Sequence, residues 1–222
     1  FGTDWLGRDM FFRSIKGMTT SIQIGLIASL VSSVIAVILG TLAATAGRRV
    51  DSFILWLVDL FQGIPHIIFL IFISILVGKG ARGILIGVAI THWTGLTRIV
   101  RAEILSLKTN QYILQARRLG QTPMRIATGH ILPHILPHFF VGLILLFPHA
   151  ILHEASLTFL GFGIPAEQPA IGVILSESMR YITLGMWWLA VFPGALLLSV
   201  VLLFDGIGNN LKKLLDPKTG QE

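Results

Sequence analysis

The sequence predicts an all-α, polytopic membrane protein on three observations. Of its 222 residues, 54% are hydrophobic and 13% charged, and the mean hydropathy is +0.80, values foreign to a soluble domain. Five stretches, 19–46, 53–77, 81–99, 135–160 and 187–207, stay apolar over the roughly 20 residues that a helix needs to cross a bilayer. The basic residues also sort by position. With the turn 47–51, the loop 98–130 and the C-terminus on one side, that side holds Arg48, Arg49, Arg98, Arg101, Lys108, Arg117, Arg118, Arg125, Lys212, Lys213 and Lys218. The other side holds Arg8, Arg13, Lys16, Lys79, Arg82 and Arg180. The positive-inside rule places the richer side in the cytoplasm. The net charge of +6 thus reflects the orientation of the spans and argues for no nucleic-acid partner. The absence of cysteine excludes disulfides and thiolate metal sites.

Taken in order, residues 1–18 form an external amphipathic segment. A transmembrane domain follows over 19–210, with a cytoplasmic elbow at 101–133, and a cytoplasmic tail occupies 211–222. Pro65 interrupts the second span, and Pro137 and Pro148 interrupt the fourth, freeing backbone carbonyls that neighbouring helices or water must satisfy. Gly40, Gly87, Gly142 and Gly194 suit close helix approach, and the Ser32–Ser33 pair reads as packing. Residues 161–183 are too polar and too rich in proline and glycine to span, so they are expected outside, folded back toward the pore mouth. The sequence starts at Phe1 with no signal-peptide pattern. An external start then implies a preceding transmembrane helix, giving five spans here of six in the full subunit.

The stretch 112–133, YILQARRLGQTPMRIATGHILP, is a basic, polar island in an apolar chain. It reads as a short helix, a break at Gly120 and a second short helix, with Thr122 and Pro123 at the N-cap and first-turn positions. Histidines supply the other constellation. His149 and His153 share one helix face, with Glu154 about 100° round from His153. Such a pair either shares a borderline metal such as nickel, copper or zinc, or bonds to backbone freed by Pro148. His92 lies mid-span beside Trp93. His66 reads as a satisfied core histidine, and His130, His134 and His138 as solvated residues at the cytoplasmic interface. Asp59 is placed to face a partner subunit, and Asp205 to make a structural salt bridge or hydrogen bond. Catalytic patterns are lacking: there is no phosphate-binding loop, and His153-Glu154 lacks the second histidine of a zinc-protease helix, Leu157 standing in its place.

The elbow resembles the "EAA loop" of ABC-importer permeases. Gly120, His130-Ile131-Leu132-Pro133 and the second-alanine residue Ala116 match, while Leu114 replaces the glutamate and Gln115 the first alanine. A second pattern, Phe1-Gly2-Thr3-Asp4 with Gly7-Arg8-Asp9, resembles the C-type permeases of the dipeptide/oligopeptide/nickel family. So do Trp93-Thr94-Gly95, Ser156-Leu157-Thr158-Phe159-Leu160-Gly161, Phe192-Pro193-Gly194 and Leu215-Asp216-Pro217-Lys218, so the resemblance covers essentially the whole chain. Asp205 and Gly208-Asn209 depart from the family's terminal segment.

The resemblance implies a type I ABC importer (MetI-like) transmembrane fold in a bacterial or archaeal inner or plasma membrane. It implies a second permease with which the pore forms, two ATPase subunits that carry ATP and Mg²⁺, and an external substrate-binding protein; this chain itself binds no cofactor. Tyr112, Gln115, Ala116, Arg117, Gly120, Thr122, Pro123 and Met124 would couple to the ATPases. The His92-Trp93 pair, the later His149/His153 pair and the missing elbow glutamate resemble the nickel-type members. They imply import of nickel or another divalent metal, free or chelated, past His149, His153 and His92. The alternative is the same machine importing dipeptides or oligopeptides. An alternative of another class is a secondary transporter working without ATPases, against which the lack of inverted repeats and of a buried carboxylate relay speaks.

Overall fold

The computed structural model describes residues 1–215, in which the chain is helical throughout, apart from loops and an isolated antiparallel bridge between Thr3 and Asp9. Lys218 and the Asp216–Lys218 part of the terminal pattern lie outside the described residues. Helix α1 (Met10–Thr45) starts earlier than the apolar stretch suggests, because Asp9 caps it by accepting from the Phe11 and Phe12 amides at 2.8 and 3.2 Å. Small residues line its buried face: Gly17, Ser21, Gly25, Ala28, Ser32, Ala36 and Gly40 recur every three or four positions. With no bulk between them, the backbones of neighbouring helices approach closely. A Cβ on Gly25 would sit 2.6 Å from Ile151 Cγ1, and one on Gly40 2.9 Å from the Thr97 carbonyl oxygen. Side chains also bond across the gaps, Ser32 Oγ donating to the Ala89 carbonyl at 2.7 Å and Thr97 Oγ1 to that of Ala36 at 3.3 Å. Of the other glycines read as contact points, Gly142 is tight against Leu96, Gly87 is in ordinary contact with Leu70, and Gly194 barely reaches Leu175.

The second predicted span is not one kinked helix. Helices α2 (Arg48–Gly63) and α3 (His66–Val77) meet at 96°. Pro65 has no N–H to continue α2 and biases Ile64 out of the helical region, and Ile64 is extended at φ −91°, ψ 132°. The third span is longer than predicted: α4 (Ala81–Thr91) and α5 (Trp93–Thr109) are separated only by His92, and α5 takes in the first part of the predicted elbow, up to Thr109. Asp51 holds Arg101 through two hydrogen bonds of 2.5 and 2.6 Å, tying α2 to α5. Asp59, expected to face a partner, pairs with Arg98 of the same chain. Asp205 accepts from Asn209 Nδ2 at 3.0 Å, the local hydrogen bond expected of it.

Helix α6 (Gln111–Arg118), Gly120, the short α7 (Pro123–Ile126) and a π turn over Ala127–Ile131 lead into α8 (Leu132–Phe159). Pro137 and Pro148 lie inside α8 without ending it, so the interruption expected from them does not occur. Residues 161–183 do fold back: α9 (Ile171–Ser178) packs against α8, α1 and the final long helix. Its Gly172 lies so close that a Cβ would meet the Ala155 carbonyl oxygen at 2.4 Å. Helix α10 (Trp188–Leu215) closes the bundle and is the least buried of the long helices.

The conspicuous Phe1–Asp9 pattern is a clamp. Asp4 is buried and accepts from the Leu6 and Arg8 amides at 2.9 Å each, and its other oxygen pairs with Arg8 Nε at 2.6 Å and Arg13 Nη1 at 3.3 Å. Arg13 continues to Glu177 on α9, and Trp188 Nε1 donates to the Thr3 carbonyl at 3.0 Å. Burial pushes the Asp4 carboxyl up, but the Arg8 amide and guanidinium and the Leu6 amide outweigh it and hold the group below the ordinary aspartate value.

Candidate functional site

Two breaks between helices and one face of α8 meet at a single cavity. His66 opens α3 directly after the Pro65 break, His92 is the lone residue between α4 and α5, and His153 lies on α8 beyond Pro148. Non-helical backbone at membrane depth is tolerated where it is buried in protein or lines an aqueous cavity. Here it borders a cavity of about 350 Å³, to which Gln62, Thr94 and His149 also contribute. The three imidazoles are mutually adjacent, with ring centroids 4.6 Å (His66–His92), 4.6 Å (His66–His153) and 4.9 Å (His92–His153) apart. Each offers a ring nitrogen within 4.8 Å of the others', and all three residues are half-buried.

The tautomer of His92 follows from its partners. Its Nδ1 lies 3.0 Å from the Val88 carbonyl oxygen and 3.1 Å from Thr91 Oγ1. A carbonyl only accepts, so Nδ1 carries the proton and Nε2 presents a lone pair. That Nε2 is buried without a protein partner, as is His66 Nε2. Glu154 takes no part. It is fully buried on the other side of α8, where its Oε1 accepts from Thr158 Oγ1 at 2.9 Å, and Thr158 Oγ1 in turn accepts from the Ile164 amide at 3.2 Å.

The structure therefore regroups the predicted histidines. His92 and His153 come together, while His149 borders the cavity but stands outside the cluster. His66, read from the sequence as a satisfied core residue, is instead a full member, because the 96° bend turns the first residue of α3 toward α4 and α8. A proline immediately before a histidine inside an apolar stretch was the available signal. His134 and His138 face Glu103 at 3.8 and 3.6 Å and are partly exposed, in keeping with an interfacial role.

The elbow is the second site. Ile113 is 0% exposed and Ala116 6%, packed with Ile104, Leu107 and Ile126 at its base. Where the surroundings are aqueous, burying Ile113 contributes about 1.5–3 kcal/mol. Gly120 turns the chain at φ +77°, a left-handed conformation that disfavours other residues. Thr122 caps α7 as its position predicts, its Oγ1 accepting from the Arg125 amide at 3.4 Å. Tyr112, Gln115, Arg117 and Met124 are exposed, but Ala116 points into the base and offers no docking surface. The sequence reading passed over Leu119, which is 83% exposed, and Met124 beyond the turn is 72% exposed. A leucine directly before the turn glycine was its only mark.

Apolar helices long enough to cross a membrane, joined by an elbow of short helices and bordering a polar cavity, define a polytopic helical membrane protein. The chain belongs to the family described as "binding-protein-dependent transport system inner membrane component", which matches residues 36–219. It is 34% identical over 98% of its length to the dipeptide transport system permease protein DppC of Bacillus subtilis, covering 68% of that protein. It is 34% identical to the oligopeptide transport system permease protein OppC of the same organism, covering 71% of it, and 37% identical to a DppC of Alkalihalophilus pseudofirmus, again over 71%. A solved structure of the MetNI methionine ABC transporter in an inward-facing conformation superimposes with a TM-score of 0.69 at 19% identity, covering 93% of this chain and 98% of that one. The fold is thus the type I ABC importer arrangement. The chain is an integral inner-membrane permease subunit of an ABC importer, and ATP hydrolysis belongs to separate chains.

Proposed function

We propose that this chain forms one half of the pore of an ATP-driven, binding-protein-dependent importer of dipeptides or oligopeptides. A second permease would complete the pore, two ATPases carrying ATP and Mg²⁺ would dock on its elbow, and an external binding protein would deliver cargo. The observation that carries this reading is identity of 34–37% along nearly the whole chain with permeases named for dipeptide and oligopeptide transport. In this reading the elbow lies in the cytoplasm. Leu119 and Met124, apolar and exposed, enter the ATPase surface, and Arg117, Arg118 and Arg125 surround them with positive charge. Motion of the ATPases passes through the rigid base at Ile113 and Ala116 into α5 and α8, whose opposite ends border the histidine cavity. Driving this cycle in one direction takes ATP, because a ligand alone shifts an equilibrium only by its differential affinity for the two states.

The test is reconstitution of the chain with its neighbouring permease, ATPases and binding protein in liposomes. Labelled dipeptide should accumulate with ATP and not without it. ATP-independent accumulation by this chain alone would replace the importer reading with a secondary transporter. A second cargo, nickel or another divalent metal, free or chelated, is favoured by one observation, the three clustered histidines at the cavity. Uptake of ⁶³Ni²⁺ by the same liposomes decides between them.

A further inference from the structure

We propose that His66, His92 and His153 form a three-imidazole site for one divalent transition-metal ion, open to the cavity that His149 borders. The proposal rests on the permease reading only in treating the cavity as part of the translocation path; it holds whichever cargo is carried.

Four observations converge on it. The three side chains come from three separate elements, α3, the α4–α5 junction and α8, yet their offered nitrogens lie within 4.8 Å of one another. Ligand nitrogens about 2.0–2.1 Å from a metal stand about 3.3 Å apart in tetrahedral geometry and up to about 4 Å apart when trans. Closing the cluster therefore takes about an ångström of side-chain movement. Second, His92 is already arranged as a ligand. Metal-bound imidazoles usually donate their second ring N–H to a carbonyl or carboxylate, which fixes the ring, and the Val88 carbonyl 3.0 Å from Nδ1 does this without any metal. Third, the Nε2 atoms of His66 and His92 are buried without a protein partner, although buried polar atoms are nearly always satisfied. Fourth, the donors are all imidazole, with no thiolate in the chain and Glu154 turned away. That set suits nickel, copper and zinc and disfavours magnesium and calcium.

Three neutral ligands leave the ion's double charge uncompensated and at least one coordination position open toward the cavity. The open position gives a group in the cavity direct access to the ion, as in a site that acts on what passes and not in a closed structural metal centre.

The test uses the complete purified complex in lipid nanodiscs and Ni²⁺ alone as the probe. Titration calorimetry at pH 7.5 should find one saturable site per copy of this chain, removed by a chelator. His66→Ala, His92→Ala and His153→Ala should each weaken binding at least about tenfold, the loss that even outer-shell changes commonly cause, while His134→Gln should not. On the unmodified complex, pulsed EPR of added Cu²⁺ should show imidazole nitrogen coupling, so the proposal does not depend on a variant that folds. Absence of a saturable site, binding that survives all three alanine substitutions, or Cu²⁺ free of imidazole coupling would overturn it. Dipeptide uptake is measured on the same purified complex reconstituted in liposomes. Metal binding without dipeptide uptake sinks the cargo reading and leaves the site standing; dipeptide uptake without metal binding does the reverse.

Discussion

The elbow and the histidine cavity lie at opposite ends of α5, and they are built in opposite ways. The elbow is contiguous: residues 111–131 make two short helices and a turn, and its rigid base is packed by Ile113 and Ala116 against the adjoining helix ends. The cavity is assembled from positions 66, 92 and 153, which no local pattern links. A contiguous device can be altered by changing one backbone conformation within it. An assembled one depends on the helix breaks that orient its parts. The two should therefore fail separately, and substitutions that separate them test the comparison.

The largest effect belongs to Gly120. Its φ is +77° and no atom lies within 4 Å of a Cβ built there, so Gly120→Val acts through the backbone and not through crowding. A left-handed conformation costs a residue with Cβ about 1–2 kcal/mol, which reduces the population of the native bend about 5–30-fold. ATP-driven uptake in liposomes should fall by a similar factor while the Ni²⁺ affinity of the cavity stays at the wild-type value. Gly120→Asn should recover most of the uptake, since asparagine tolerates this region. Equal loss in both variants would show that the glycine matters for something other than its φ. Parallel loss of metal binding would show that the two sites are not separable.

How much could be read in advance follows the same division. The elbow's glycine turn and the Thr122 cap were legible because each is a local rule operating over three or four residues. Four crossings were legible from length and hydropathy, while the predicted second one is the bent pair α2–α3, and the early start of α1 could have been read from Asp9 as an N-cap. The direction Ala116 points was not legible, since it depends on Ile104 and Leu107 of α5 lying beneath it. Nor was the place of His66. Pro65 announces a break, but the side toward which α3 then turns also depends on its packing against α4, and that contact has no one-dimensional signature.

Pro65→Ala sharpens the cavity side of the comparison. It restores a backbone N–H and removes the bias on Ile64, letting α2 continue toward α3 and rotate His66 away. Ni²⁺ affinity should drop about tenfold, toward the loss from His66→Ala, with ATPase stimulation by the binding protein retained; unchanged affinity would mean that packing alone holds the bend. Thr91→Val is gentler. It deletes the hydroxyl 3.1 Å from His92 Nδ1 and leaves the Val88 carbonyl in place. With one of two orienting partners gone, affinity should fall only about threefold, below the usual 10–100-fold range for outer-shell changes. A larger loss would make Thr91, and not Val88, the group that fixes the ring.

The smallest effect on uptake and metal binding, none at all, is expected where the external clamp belongs to neither site. Asp4→Asn keeps an oxygen for the Leu6 and Arg8 amides but removes the charge that pairs with Arg8 and Arg13. Hydrogen bonds to a charged group typically contribute about 1.5–3 kcal/mol, and the residual amide bonds should hold the loss to about 1–2 kcal/mol. The sign of its pH dependence is set by the depressed carboxyl. Because the folded value lies below the ordinary 3.8, Asp4 contributes its full stabilisation above that pH and loses it as pH falls through the folded value. Thermal melting of the complex should therefore separate the wild type from Asp4→Asn at pH 7, with the gap closing below about pH 3.8. Uptake and Ni²⁺ affinity at pH 7 should be unchanged in the variant. A gap that widened on acidification would reverse the assigned direction. A loss of metal affinity would mean that the clamp, through Arg13 and Glu177 on α9, reaches the cavity after all.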